Sequence, residues 1–343
     1  MRCHPLLPSL TLLLFPVVSC QDSGTDSNPV ALVRYAQSRE VMGTFAEVMA
    51  FAADPDTAKK AVEAAYDRLA DVNRRMSDYS DDSEIGRLNR QPAGEETVVS
   101  PETFFVLQKA MEVAKASGGA FDPTCRPLVQ RWKHAGKENR LPEPHAIAAT
   151  MQHVGWQKVT LDSHDRSVAV SVEGVQVDLG GIAKGYALDL AAAALKEAGA
   201  QSGLVNVGGD VIALGSQSGG RPWRIGMKHP FQPGLFRTLA VCDRAVATSG
   251  VQQRFQVIDG KRYSHIVDPR TGQPAEQAPA VTVIAPDGLT ADAWATVFSV
   301  LTVEEGRAMI ESLPEIEAMW IWGSADAVQT AESSGFAPYV AAD

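Results

Sequence analysis

Basic charge is scarce in this sequence: 31 Lys and Arg stand against 41 Asp and Glu, a formal net charge of −10 over 343 residues. With no basic run either, the chain has little to offer a polyanionic backbone, and nucleic acid is excluded as a partner. An acidic protein that handles an anionic nucleotide must hold it locally, with backbone N–H groups, one or two cations or a metal. Cysteine is also sparse, at 4 residues with no Cys-x-x-Cys pair and no Cys/His spacing of the zinc kind. The polar, unpackable composition of a disordered chain is missing as well, since 45% of residues are hydrophobic and 21% charged. No internal repeat at solenoid periods is visible.

The N-terminal apolar run, residues 10–18, is too short to span a bilayer, which needs about 20 residues. It suits the hydrophobic region of an export signal. The run ends in Val17, Val18, Ser19 and Cys20, which resembles a bacterial lipobox with Cys20 as the acylated residue. A plain secretory signal is the alternative. Residues 1–19 are therefore expected to be a leader, 20–35 a polar lipid-anchored tether and 36–343 the working domain. This places the protein on the extracytoplasmic face of a bacterial cell envelope. Cys125 and Cys242 then remain, able in principle to form one disulfide in an oxidising compartment.

Periodicity predicts a strand over residues 40–51, with Met42, Gly43 and Thr44 at its start, and an amphipathic helix over 57–76. Ser100 followed by Pro101 signals another helix start. Residues 133–158 look like a polar, proline-bearing and partly helical surface insertion. A buried strand is expected at 175–179, a break at Gly180 and Gly181, and a helix over 182–198. Short β-type runs follow at 203–207, 210–214, 223–227, 238–248, 262–267 and 280–285, then two helices within 289–312 and a last strand near 317–322. Strands and helices mix without strict βαβ alternation, so the fold class is α+β, read as one functional unit.

Four segments carry chemistry. In Asp178–Leu179–Gly180–Gly181–Ile182–Ala183–Lys184–Gly185, a glycine turn opens a helix beside a lysine, an arrangement suited to phosphates. It is neither a P-loop nor a dinucleotide fingerprint, and Asp178 could equally be an ordinary cap. Asn206–Val207–Gly208–Gly209–Asp210 reads as a hairpin turn. His265 precedes an Asp268–Pro269–Arg270–Thr271–Gly272 turn, with Ser264 and Asp268 close by. Asp292 and Thr296 share a helix face, as hard oxygen donors of the kind magnesium accepts; helix capping is the plainer explanation.

Taken in order, these segments resemble the FAD:protein FMN transferases, the ApbE-type family. The ordered set adds Met42–Gly43–Thr44, Met76–Ser77–Asp78–Tyr79 with Ser83, Glu84 and Asn89, Gly119–Ala120–Phe121–Asp122–Pro123–Thr124, and Thr248–Ser249–Gly250. The likeness covers roughly residues 40–325. It implies a two-lobed mixed sheet-and-helix fold with FAD in the cleft between lobes. It further implies that Tyr79 lies against the flavin and that Met42, Ala120, Phe121, Asp122, Asp178, Lys184 and Ile266 bind FAD. Mg²⁺ would be held by Asp292, Thr296 and a carbonyl at Gly181. His265 would serve transfer, with Asp268 to orient it. Some members carry a second aspartate where this chain has Ala295, and some replace Tyr79 by asparagine and hydrolyse FAD. The implied acceptors are a Thr or Ser of exported flavoprotein subunits in electron-transport complexes. Two rival functions use the same residues: an FAD pyrophosphatase releasing FMN and AMP, and a non-enzymatic FAD-binding lipoprotein.

Overall fold

The computed structural model describes residues 31–250, 255–275 and 280–342. The expected leader, Cys20 and most of the tether lie outside the described residues. Strand β1 (Val33–Val41) pairs with β2 (Thr44–Ala52) through a two-residue turn. The strand expected over 40–51 is β2; β1 is not expected from the sequence and begins inside the stretch assigned to the tether. Met42 and Gly43 both have positive φ, 54° and 67°, the turn geometry whose twist matches a right-handed hairpin. Met42 and Gly43 thus reverse the chain, and the strand starts at Thr44.

Helix α1 (Pro55–Met76) follows, its first turn closed by Asp54 Oδ1 accepting from the Thr57 N–H at 2.9 Å. Next come α2 (Glu84–Leu88), β3 (Thr97–Val98) and α3 (Pro101–Ala116), the last capped by Ser100 as expected. The insertion is partly helical as expected, with α4 (Arg126–Glu138), which starts ahead of it, and α5 (Pro144–Met151). Strands β4 (Val159–Asp162) and β5 (Ser167–Val170) join β3 in a small sheet.

The second half starts at α6 (Ala183–Glu197) and continues through β6 (Ser202–Val207), β7 (Asp210–Leu214), β8 (Trp223–Lys228), β9 (Leu235–Val241) and β10 (Ala245–Ser249). The expected run over 238–248 is therefore two strands. Asp243, at φ 46°, turns the chain without a glycine, and its Oδ1 accepts from the Gly215 N–H at 2.6 Å. After β11 (Phe255–Ile258) and β12 (Lys261–Ser264) come β13 (Ala280–Ala285), α7 (Gly288–Val300), α8 (Val303–Ile310), β14 (Glu317–Ser324) and β15 (Ala327–Glu332). β12 stops at Ser264, short of the expected 267, because the Ser264 hydroxyl accepts from the Ile266 N–H at 3.0 Å and bends the chain at His265.

Eight strands form one sheet in the order β1-β2-β6-β7-β10-β13-β14-β15, every neighbouring pair antiparallel. Alternate side chains enter two cores. Val281, Val283 and Ala285 of β13, with Ala318 and Trp320 of β14, face α1, α6 and α7. Ile284, Met319 and Ile321 face the other way, against Trp223, Leu239 and Phe336. A third cluster, built on Leu128, Trp132 and Ile147, forms the core of the smaller lobe. The mixed, two-lobed α+β architecture agrees with the sequence reading; the strand expected at 175–179 does not form.

That segment is buried but irregular. Asn89 takes the place of a neighbouring strand: its Nδ2 donates to the Val177 carbonyl at 2.8 Å and its Oδ1 accepts from the Val177 N–H at 2.6 Å. The Asp178 N–H donates to the Pro123 carbonyl at 2.7 Å. Replacing Asn89 by alanine orphans both Val177 groups, and urea denaturation should show a loss of about 2 kcal/mol.

Candidate functional site

A cleft of about 420 Å³ opens between the lobes, within the usual range for small-molecule sites. Met42, Tyr79, Ala120, Phe121, Asp122, Asp178, Gly181, Lys184, His265, Ile266, Asp292 and Thr296 all line it. Residues up to 254 positions apart in sequence thus reach one space, from the β1–β2 turn, the α1–α2 loop, the α3–α4 loop and the starts of α6 and α7.

Asp268 is the exception among the described site residues and is not part of the cleft wall. Its carboxylate accepts from Arg270 Nε and Nη2, both at 2.9 Å, and its carbonyl accepts from the Gly272 N–H at 2.8 Å. The turn is in turn docked on the smaller lobe, where Trp132 Nε1 donates to the Gly272 carbonyl at 2.9 Å. Asp268 thereby shapes the turn that follows His265.

At the cleft mouth Tyr79 is 82% exposed, with Lys133 Nζ over its ring at 5.5 Å from the centroid. Its loop is anchored from α4: Arg126 Nε donates to Asp78 Oδ2 at 2.8 Å and Nη2 to the Asp78 carbonyl at 2.9 Å. Asp122 Oδ1 accepts from the Thr124 N–H at 2.8 Å, and Oδ2 from the Trp156 N–H at 2.9 Å. Its carboxylate thus also organises the loop that presents Ala120 and Phe121. Asp178 Oδ1 accepts from the Gly180 N–H at 2.7 Å. Burial, reinforced by the charge of Asp78, raises the Asp178 pKa above the ordinary aspartate value. Cys125 also lines the cleft and carries a free thiol, so it does not pair with Cys242. Burial pushes that thiol well above its usual range.

The floor of the cleft is a charge triad. Lys184 Nζ donates to Asp292 Oδ1 at 3.0 Å and to Asp210 Oδ2. Asp210 also accepts from the Thr248 N–H at 3.1 Å, and Asp292 Oδ2 from the Gly185 N–H at 3.0 Å. Burial pulls the lysine pKa down, but Asp292 and Asp210 outweigh it, and the ammonium is held above its ordinary value. The hairpin expected at 206–210 is real, since Gly208 and Gly209 turn β6 into β7 with φ of 65° and 106°. What the sequence concealed is that the same turn delivers Asp210 to Lys184.

Glycine makes the approach of α6 and α7 possible. A Cβ on Gly185 would lie 2.0 Å from the Gly288 carbonyl oxygen, and one on Gly288 would lie 2.4 Å from that of Gly185. Backbone cannot yield to such contacts.

Among the described residues, no group of three or more His, Cys, Asp or Glu side chains is arranged to hold a metal. The donors that converge are of another kind. Thr296 Oγ1 lies 3.5 Å from the Gly181 carbonyl oxygen, and the Asp292 carboxylate stands one helical turn before Thr296. A carboxylate, a hydroxyl and a carbonyl are hard oxygen ligands that suit Mg²⁺. The residues therefore fit the ion that the resemblance implied.

The profile of the ApbE family matches residues 42–320, the stretch that supplies the whole cleft. This chain belongs to the ApbE family. Among curated relatives, an FAD:protein FMN transferase of Treponema pallidum is 31% identical over 305 residues, covering 84% of each chain. One from Haemophilus influenzae is 34% identical over 265 residues, covering 74% of this chain and 76% of its own. The ApbE protein of Thermotoga maritima superposes with a TM-score of 0.82 at 32% identity, over 90% of this chain and 99% of that one. The flavin transferase ApbE of Vibrio cholerae gives 0.79 at 29% identity, with the same coverage.

Replacing Lys184 by methionine leaves Asp210 and Asp292 buried without their cation, a change that should cost about 3 kcal/mol at neutral pH. The sign with pH follows. Burial raises the Asp292 pKa and Lys184 opposes that rise, so without the lysine it lies further above its unfolded value and the variant is most stable where that carboxyl is protonated. Denaturation between pH 4 and 8 should show the deficit shrinking as pH falls.

Proposed function

We propose that this protein is an FAD:protein FMN transferase, cleaving FAD and leaving FMN on a Thr or Ser hydroxyl of a partner protein. The observation that carries the reading is the convergence of an exposed aromatic, a histidine and an oxygen-rich helix pair on one cleft. Flavin rests against Tyr79 with Met42, Phe121 and Ile266 as apolar walls. The diphosphate faces the start of α6, where backbone N–H groups and helix polarity favour anions. Lys184 supplies positive charge there while remaining tied to its two aspartates.

The acceptor oxygen attacks the phosphorus that stays with FMN. Its proton passes to the His265 imidazole, and the bond from that phosphorus to the bridging oxygen breaks, so that AMP departs with the oxygen. A hydroxyl is a poor nucleophile at neutral pH, which is why a nearby imidazole base matters. A Mg²⁺ bound by Asp292, Thr296 and the Gly181 carbonyl would neutralise charge growing on the leaving group. Asp268 keeps the turn after His265 in place through Arg270.

The assay is incubation with FAD, Mg²⁺ and an acceptor flavoprotein subunit, reading in-gel flavin fluorescence and AMP together. Transfer gives both; release of AMP with free FMN only would make the protein a hydrolase, and neither product a carrier. Asp292→Ala should abolish AMP release while FAD still binds; full activity of that variant in chelator would overturn the metal assignment. His265→Ala should lower single-turnover labelling by about 100- to 10,000-fold with little change in FAD affinity, because a base acts mainly in the transition state.

The acceptors under this reading are exported flavoprotein subunits of electron-transport complexes, with the enzyme lipid-anchored through Cys20 at the extracytoplasmic face. No helix among the described residues is long and apolar enough to cross a membrane. Mass spectrometry of the native N-terminus should show an acylated Cys20; an unmodified N-terminus elsewhere, on soluble protein, would mean an ordinary secretory signal.

A further inference from the structure

The first turn of α7 is capped by two carboxylates, and only one belongs to it. Asp287, the N-cap, accepts from the Thr290 N–H at 2.7 Å. The N–H groups of Gly288 and Leu289 instead donate to Asp189, on α6, at 2.5 Å to Oδ1 and 2.9 Å to Oδ2. A helix start leaves these N–H groups without partners of their own, and here a second helix satisfies them. Asp189 lies five residues beyond Lys184 and four beyond Gly185, while Asp292 lies three beyond Leu289. The two helices are thus tied twice: by Asp189 to the α7 start, and by Lys184 and Gly185 to Asp292. Between the ties, Gly185 and Gly288 meet backbone to backbone.

We infer that Asp189 is a positioning residue for the metal site, holding α7 against α6 so that Asp292 and Thr296 face the Gly181 carbonyl. The inference rests on the metal reading proposed above. Burial raises the Asp189 pKa to about 7 even though the two N–H donors pull it down. The tie is therefore kept at an electrostatic cost that a plain solvent-exposed cap would not incur. Nor is it needed merely to close the helix, since Asp287 already caps α7. Sliding α7 by a fraction of an ångström would separate the Thr296 hydroxyl from the Gly181 carbonyl, now 3.5 Å apart, and would leave the Asp287 cap intact.

The test compares Asp189→Asn with Asp287→Ala, titrating each FAD-loaded protein with Mn²⁺ by electron paramagnetic resonance alongside Tm and kcat. An asparagine presents one acceptor oxygen, so one of the two N–H groups loses its partner. Both variants should lower Tm. Asp189→Asn should also raise the half-saturating Mn²⁺ by about 10-fold, with kcat at saturating metal largely retained, whereas Asp287→Ala should leave the metal titration unchanged. Equal Tm losses with wild-type Mn²⁺ binding in both would make Asp189 a helix cap and nothing more. A measurement on the wild-type protein does not depend on the variant folding. If the tie favours the metal-competent arrangement, metal must favour the tie, and hydrogen exchange at the Gly288 and Leu289 N–H groups should slow when Mn²⁺ is added. Unchanged exchange would overturn the inference. Wild-type protein that binds no Mn²⁺ at all would instead sink the metal reading, and the inference with it.

Discussion

Everything at the cleft floor depends on one ammonium group. Lys184 sits where the start of α6, the β6–β7 hairpin and α7 converge, and its ammonium bridges the buried carboxylates of Asp210 and Asp292. Opposed charges in a poorly hydrated space attract strongly, but only if neither partner is missing. The triad is thus less a source of net stability than a condition for the arrangement. It admits only the geometry in which α6 and α7 cross at their glycines. The same geometry brings the Thr296 hydroxyl of α7 within 3.5 Å of the Gly181 carbonyl, just ahead of α6.

Around this floor, function is distributed by loops whose own hydrogen bonds are already complete. Asp122 and Asp268 illustrate the pattern. Each carries a carboxylate next to residues that line the cleft, and each uses it on backbone or arginine donors nearby. Preorganisation of this kind leaves the ligand-facing groups with little freedom to lose on binding. Asn89 does likewise for Val177, standing in for a strand that the sheet does not contain.

The sequence disclosed helices and cleft residues better than it disclosed strands and ties. Residues 57–76 show a three-to-four spacing that survives folding unchanged, and the glycine turn before α6 marks itself. Residues 175–179 misled because alternating burial looks the same whether the partner is a strand or one asparagine 88 positions away. The break between β9 and β10 went unseen because Asp243 supplies the left-handed turn that a glycine would have advertised. Asp189 had no local signal at all. It occupies an ordinary helical position, and its meaning appears only when residues 288 and 289, a hundred positions on, are brought beside it.

The pairing of β2 with β6 joins Ala46 to Val207, and the chain enclosed between them carries Tyr79, Phe121, Asp178 and Lys184. Closing so long a loop is an entropic debt that must be met before the ladder can form. An emerging chain holds the α1–α2 and α3–α4 loops of the cleft long before it holds α7, and the wall is complete only once α7 packs on α6.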